Sequence, residues 1–328
     1  MNKKRWWALG IFIVLVVIYA VSSVGNKEER QAASALTKYI GSGEGNWSTT
    51  VYREGSGGKL ALLNLEGIIM ENGSASGFSS TYNHRIFLRQ LETAYTDPNI
   101  KGIILQINSP GGGVYESDEV YHRIMELKTR YKKPLVVYMG QQAASGAYYI
   151  SMAADQIYAN RNTMTGSIGV IISTYNFSEL AEKIGVQDVT FKSGENKDLL
   201  NSLRPVTEQE QTIMQTMVDE SYHYFVDIVA QGRRMNRDQV LQLADGRIYS
   251  GTQAKSLGLI DEVGYLQDAI DGAAKLTRTS DPQVLLYEKP GPNFWELISS
   301  MRSPVIDLRG LSQQLQQQST PQILYLSH

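Results

Sequence analysis

The chain has 328 residues, 42% of them hydrophobic, with 31 lysines and arginines against 33 aspartates and glutamates, a net charge of −2. That is enough apolar chain for one large core or two small ones, and it offers no basic face, so nucleic acid is not expected as a partner. Cysteine is absent, which excludes a disulfide framework, a thiol nucleophile and a lipoprotein anchor.

The first predicted element is the apolar run from Trp6 to Val24, about 19 residues and long enough to cross a hydrocarbon layer of roughly 30 Å as a helix. Lys3, Lys4 and Arg5 precede it and only the mixed charges of NKEER follow. The positive-inside rule then leaves the N-terminus cytoplasmic and the rest of the chain outside. A cleaved secretory signal is the alternative, with Ala20 and Ser22 as small residues for a cleavage site, but the run exceeds a usual signal core. Residues 1–25 are thus read as cytoplasmic N-terminus and anchor, and the Gly-, Ser- and charge-rich residues 26–58 as a loosely ordered stalk.

A folded domain is expected over 59–290, opened by the strand-like KLALLNLEGII from Lys59. The apolar runs IKGIILQI, PLVVYM, QIYA, SIGVIIS and DVTFK then alternate with amphipathic stretches, the pattern of an α/β domain with a largely parallel sheet. Beyond Pro205 a long amphipathic helix carries Ile213, Met217, Val218, Tyr224, Phe225 and Ile228, a stripe suited to core packing or to subunit contact. Residues 291–328 form a C-terminal extension, which ends by changing from a Gln-rich polar run to an apolar tip, ILYL at Ile323 to Leu326.

Two motifs stand where apolar runs give way to helical pattern. INSPGGGVYES follows GIILQI: Pro110 restricts φ, and Gly111, Gly112 and Gly113 let the chain turn with amides exposed, the raw material of an oxyanion hole. A tight strand-to-helix turn is the plain alternative; a phosphate loop is not, because Val114 and Tyr115 stand where a Walker lysine would follow. MGQQAASGAYYIS follows KPLVVYM and places Ser145 among Ala143, Ala144, Gly146 and Ala147, small enough to admit a substrate backbone. A serine opening a helix is ordinarily an N-cap.

As a nucleophile Ser145 would need a base. His84, His122, His223 and His328 have no obvious claim by position, which leaves lysine, whose ammonium loses its proton more easily when desolvated. FKSGENKDLLNS supplies Lys192 and Lys197 around a Ser-Gly turn. Either is ordinarily a surface residue.

NSPGGG, AASGAYYIS, TGSIGVI and KSGENKD, in that order, resemble signal peptide peptidase A, membrane-anchored serine-lysine peptidases whose fold is similar to the Clp protease and crotonase families. The likeness runs from about Lys59 onward and fits the short bacterial form with one catalytic repeat. It implies a repeated β-β-α superhelix. It also implies Ser145 as nucleophile, Lys197 as general base 52 positions later, Ser167 as the serine that orients the lysine, and the amides of Gly112 and Gly146 as oxyanion hole. The family further implies a ring-shaped homo-oligomer in which serine and lysine meet across subunits. Signal peptides and other apolar peptides would be the substrates, cleaved through an acyl-enzyme at the outer face of the cell membrane. No metal and no cofactor is expected. A crotonase-like acyl-CoA enzyme and a catalytically silent assembly module are the rival readings. The tail, an extended segment with an apolar tip, has the character of a substrate and is expected either to be disordered or to occupy a peptide cleft of its own oligomer.

Overall fold

The computed structural model describes residues 47–71, 82–288 and, as backbone, 323–326. The segment expected to span the membrane, Trp6 to Val24, lies outside them, and no helix among the described residues is long and apolar enough to cross a bilayer. These residues belong to one compact unit, Trp47–Glu288 with Ile306–His328.

In chain order the elements are β1 (Ser48–Arg53), β2 (Lys59–Glu66), α1 (His84–Thr96), β3 (Ile100–Ser109), β4 (Gly111–Gly113), α2 (Val114–Tyr131), β5 (Leu135–Ala144) and α3 (Gly146–Ser151). Then come β6 (Gln156–Ala159), β7 (Met164–Gly166), β8 (Ile171–Ile172), α4 (Ser178–Lys183), a 3-10 turn (Glu195–Asp198), α5 (Glu208–Arg233) and α6 (Arg237–Leu243). The last are β9 (Ile248–Ser250), α7 (Gly251–Ser256), β10 (Glu262–Val263), α8 (Leu266–Thr277), β11 (Gln283–Glu288) and β12 (Ile323–Leu326).

Unbroken apolar runs such as GIILQI make the middle of the sheet because a parallel strand covered on both faces has no polar side. The strand order is β1-β11-β2-β3-β5-β6-β10, parallel throughout except for β1 against β11, with β7 parallel to the end of β5 and β9 antiparallel to β7. Along β2 the side chains alternate: Ala61, Leu63 and Leu65 enter the large core, while Leu60 and Leu62 meet Ala269, Ile270 and Ala273 of α8 on the other face. The mixed α/β architecture with a largely parallel sheet is as expected.

Three details differ from expectation. The stretch read as stalk carries β1 near its end, because STTVYR finds an antiparallel partner in β11. DVTFK forms no strand: residues 188–192 are exposed, and no neighbouring strand supplies a ladder for them. SIGVIIS contributes only Ile171–Ile172, and the chain just before it pairs as β7 instead. The long helix appears as α5, begun by a capping box on Thr207 and Glu210, yet it buries Phe225, Val226 and Val229 and leaves Met217 and Tyr224 exposed.

Candidate active site

Parallel strands deliver their C-terminal ends to one edge of the sheet, and the two Gly/Ser motifs sit there, after β3 and β5. Ser109 of β3 pairs with Ala143 of β5, and Ala144 pairs with Gly166 of β7, so the glycine loop, Ser145 and Ser167 follow three adjacent strand ends. Ser145 is the turn residue between β5 and α3, with φ 55° and ψ −121°, a left-handed backbone that a serine rarely adopts. The conformation is held by its amide donating to the Gly166 carbonyl at 2.8 Å and its carbonyl accepting from Tyr149 at 2.9 Å.

The hydroxyl does not serve as a helix cap. Ser145 stands at the cap position of α3 but makes no side-chain cap bond. It is 1% exposed, and its Oγ is buried with no hydrogen-bond partner among the described residues. A capping serine would spend that oxygen on a helix amide. Gly146 is the first residue of α3, so its amide is among those a helix leaves without an internal acceptor. Tyr149 fixes α3 from the far side, packing edge-on against Tyr121 and Phe225 and donating its hydroxyl to Asp118 at 2.6 Å.

The glycine loop is a strand rather than a plain turn. Ile69 lies parallel to Gly112, its amide donating to Gly111 and its carbonyl accepting from Gly113 at 2.8 Å. Those two bonds use the groups on either side of Gly112, so the amide and carbonyl of Gly112 itself face the opposite edge of β4. A Cβ on Gly112 would lie 2.1 Å from the Ile69 carbonyl oxygen, which only glycine avoids. The opposite edge is where β12 adds antiparallel, with Tyr325 in register with Gly112, and β12 pairs on its other side with β8. A mostly apolar cavity of about 840 Å³ adjoins Gly113, lined by Val114, Tyr115, Tyr149, Tyr224 and Ile228, with Glu116, Asp118 and Asp227 also in its wall.

Ser167 directly follows β7, 6% exposed and at φ 50°, with its amide donating to Arg247. It opens onto a cavity of about 500 Å³ shared with Val218, Asp219, Tyr222 and Asp245. Lys197 is not brought to this group. It sits exposed on the 3-10 turn, and among the described residues its amine has no hydrogen bond or ion pair with Ser145, Ser167 or any other group. Lys192, the other candidate, is engaged: its amine donates to Asp198 at 2.7 Å and to the Glu195 carbonyl at 3.0 Å. The described histidines are placed elsewhere. His84 is buried between Tyr82 and Glu119, His122 is exposed on α2, and His223 meets Arg237.

The Asp198–Arg204–Glu210 ion-pair chain beside Lys197 has no signature in the sequence motifs, and only the charged residues of NKDLLNSLRPVTEQE could have hinted at it. Hydrogen bonds from Arg204 and then Lys192 hold the Asp198 carboxyl well below its usual range. Arg204 likewise draws Glu210 down to about 2.

Residues 128–280 match the model of peptidase family S49, a span that contains Ser145, Ser167 and Lys197 and stops short of Gly112. A protein of Enterococcus faecium named "Putative signal peptide peptidase SppA" is 40% identical over 301 residues, 90% of this chain and 87% of its own length. The chain belongs to peptidase family S49. This S49 peptidase is also 34% identical to "Serine protease SPPA, chloroplastic" of Arabidopsis thaliana, over 81% of its length, and 35% identical to "Protease 4" of Haemophilus influenzae, over 66%. It spans 42% and 35% of those two longer relatives. Family membership makes it a serine peptidase and leaves the acyl-CoA and silent-module readings without support.

Proposed function

We propose that this S49 peptidase is a membrane-anchored endopeptidase that cleaves signal peptides and other apolar peptides through a Ser145–Lys197 dyad. The unpartnered, buried hydroxyl of Ser145 carries the reading, since it lies beside a glycine strand that accepts an added peptide strand. Substrate would pair with the β4 edge as β12 does, gaining affinity from backbone bonds and selectivity from side-chain pockets. The cavity beside Gly113 supplies an apolar one.

Ser145 Oγ then attacks the scissile carbonyl while neutral Lys197 takes its proton, and the tetrahedral oxyanion accepts bonds from the amides of Gly112 and Gly146. Lys197 returns the proton to the leaving amine. Water, deprotonated in turn by Lys197, releases the acyl group. Ser167 aims the amine.

Within one chain the lysine stands apart, so a second copy is the source we assign to it. The chain around the lysine turn suits burial against a neighbour: Phe191 is 96% exposed, and Tyr175, Ile184 and Val189 also face outward. A Clp-like ring with one lysine entering each neighbour's Ser167 cavity would satisfy both, with the enzyme tethered outside the membrane by residues 1–25. Incubation with a serine-directed phosphonate followed by intact-mass measurement tests the core of this reading. One adduct per chain, absent in Ser145→Ala, is expected; an unlabelled assembled enzyme would refute the acyl-enzyme.

A further inference from the structure

The turn that carries Lys197 is almost wholly exposed, yet one residue along the chain it is fastened from several directions. Asp198 Oδ2 accepts from Arg204 Nε at 2.9 Å, Oδ1 accepts from an Arg204 terminal nitrogen at 3.0 Å, and the same nitrogen donates to the Asp198 carbonyl at 2.9 Å. The other terminal nitrogen of Arg204 donates to Glu210 Oε2 at 2.9 Å. Glu210 is buried in the first turn of α5, where the same oxygen accepts from the Thr207 amide at 2.8 Å. Side-chain exposures of 13%, 23% and 2% for Asp198, Arg204 and Glu210 describe a largely shielded chain of contacts whose helix end is buried. Leu200 is held at φ 58° between its two ends.

We propose that Arg204 is a positioning residue for Lys197, tying the lysine turn to the start of α5 through Asp198 on one side and Glu210 on the other. The proposal rests on the serine-lysine reading and adds to it the element that aims the base. A lysine on a solvated turn has a flexible four-carbon stem, and a base must be placed to within a fraction of an ångström to act in a neighbour's site. Only a planar fork reaches two carboxylates and a carbonyl together.

The clamp also sets the charge around the amine. The charged groups of its own segment are Lys192, Glu195 and Asp198, and Arg204 and Glu210 join Asp198 to the start of α5. Replacing Arg204 with alanine takes one positive charge from beside the Asp198–Lys197 turn, leaving Asp198 with Lys192 alone, and favours the ammonium. Removing the Asp198 charge takes one negative charge from beside Lys197, leaving Arg204 with Glu210 alone, and disfavours it. The two changes therefore move the pH profile in opposite directions, which loss of mere structural support would not do.

The test uses the full chain in detergent, with assembly checked by size-exclusion chromatography and kcat and KM measured against pH. Arg204→Ala and Asp198→Asn should each lower kcat about 10- to 100-fold with KM nearly unchanged, as expected when only alignment of the base is lost. The Arg204→Ala profile should move alkaline and the Asp198→Asn profile acid, each by roughly half a unit for a nearby charge in a screened setting. Arg204→Lys should recover part of the rate, and if Arg204→Ala fails to assemble, Arg204→Lys and Asp198→Asn decide the matter. Unchanged kcat in assembled variants, or profiles that stay put or move in the same sense, would overturn the clamp. An active Lys197→Ala enzyme would defeat the dyad and the clamp with it, whereas an inactive Lys197→Ala beside fully active Arg204→Ala and Asp198→Asn would overturn the clamp alone.

Discussion

Ser145 combines a left-handed backbone, at about 1–3 kcal/mol for a non-glycine residue, with a buried hydroxyl that bonds nothing, at about another 1–3 kcal/mol. Ser145→Ala removes the second cost and keeps the first. It should abolish hydrolysis while raising thermal stability by about 1 kcal/mol, a combination that a melting curve and a peptide assay would show together. Lys197→Ala should also abolish hydrolysis with assembly intact, and the double variant should be no worse than either single, because dyad members act as a unit. Full activity in Lys197→Ala with an inactive Lys192→Ala would move the base to Lys192, against the ion pair that engages Lys192 here. Ser167→Ala should slow the enzyme without stopping it. For wild type, kcat/KM should climb toward mildly alkaline pH as the base loses its proton, and a profile falling above neutrality would count against lysine.

At the scale of elements, β12 occupies the edge of β4 where a substrate strand would lie, between it and β8. Deleting the residues after Gln318 should expose both edges and raise kcat/KM toward short peptides, with the pH profile unchanged. Equal or lower activity in an assembled truncation would make β12 a structural strand only. The start of α5 gives a second prediction. Arg204 lowers the Glu210 carboxyl from its ordinary 4.5 to about 2, so the pair contributes stability that is complete above about pH 4.5 and is lost as pH falls toward 2. Glu210→Gln should therefore melt below wild type at neutral pH, with the gap closing as the solution is acidified through that window. A gap that stayed constant from neutrality to pH 2 would remove the ion pair from the account of stability.

Over the whole molecule, the separation of Lys197 from Ser145 makes the proposed ring testable without seeing it. Co-expressed Ser145→Ala and Lys197→Ala chains, each inactive alone, should regain a fraction of wild-type activity if the dyad is shared between neighbours, since some junctions then join an intact serine to an intact lysine. No recovery in mixed oligomers would return the dyad to a single chain. An enzyme tethered as proposed should favour extended apolar peptides with a small or aliphatic residue before the cut, and a library showing preference for charged residues there would contradict the proposed substrate class.

Local pattern was enough for much of this. QIYA became β6 with those limits, and the runs around GIILQI and PLVVYM became central parallel strands, because burial on two faces removes polar alternation wherever it occurs. The small-residue surroundings of Ser145, and its place at a strand end, were likewise readable. Pairing was not. That Gly112 lies against Ile69, that residues 323–326 complete a sheet with residues 111–113, and that STTVYR joins Gln283–Glu288 depend on partners far away in the chain. DVTFK has strand composition but no strand to pair with among the described residues, so it forms none and stays exposed. A serine opening a helix is ordinarily a cap in sequence, and only the packed structure shows that the Ser145 hydroxyl caps nothing and is buried and unbonded among the described residues. Residue types and their period are written locally; which backbone edges meet, and which polar atoms are left without partners, is decided by tertiary contacts between segments that the period does not relate.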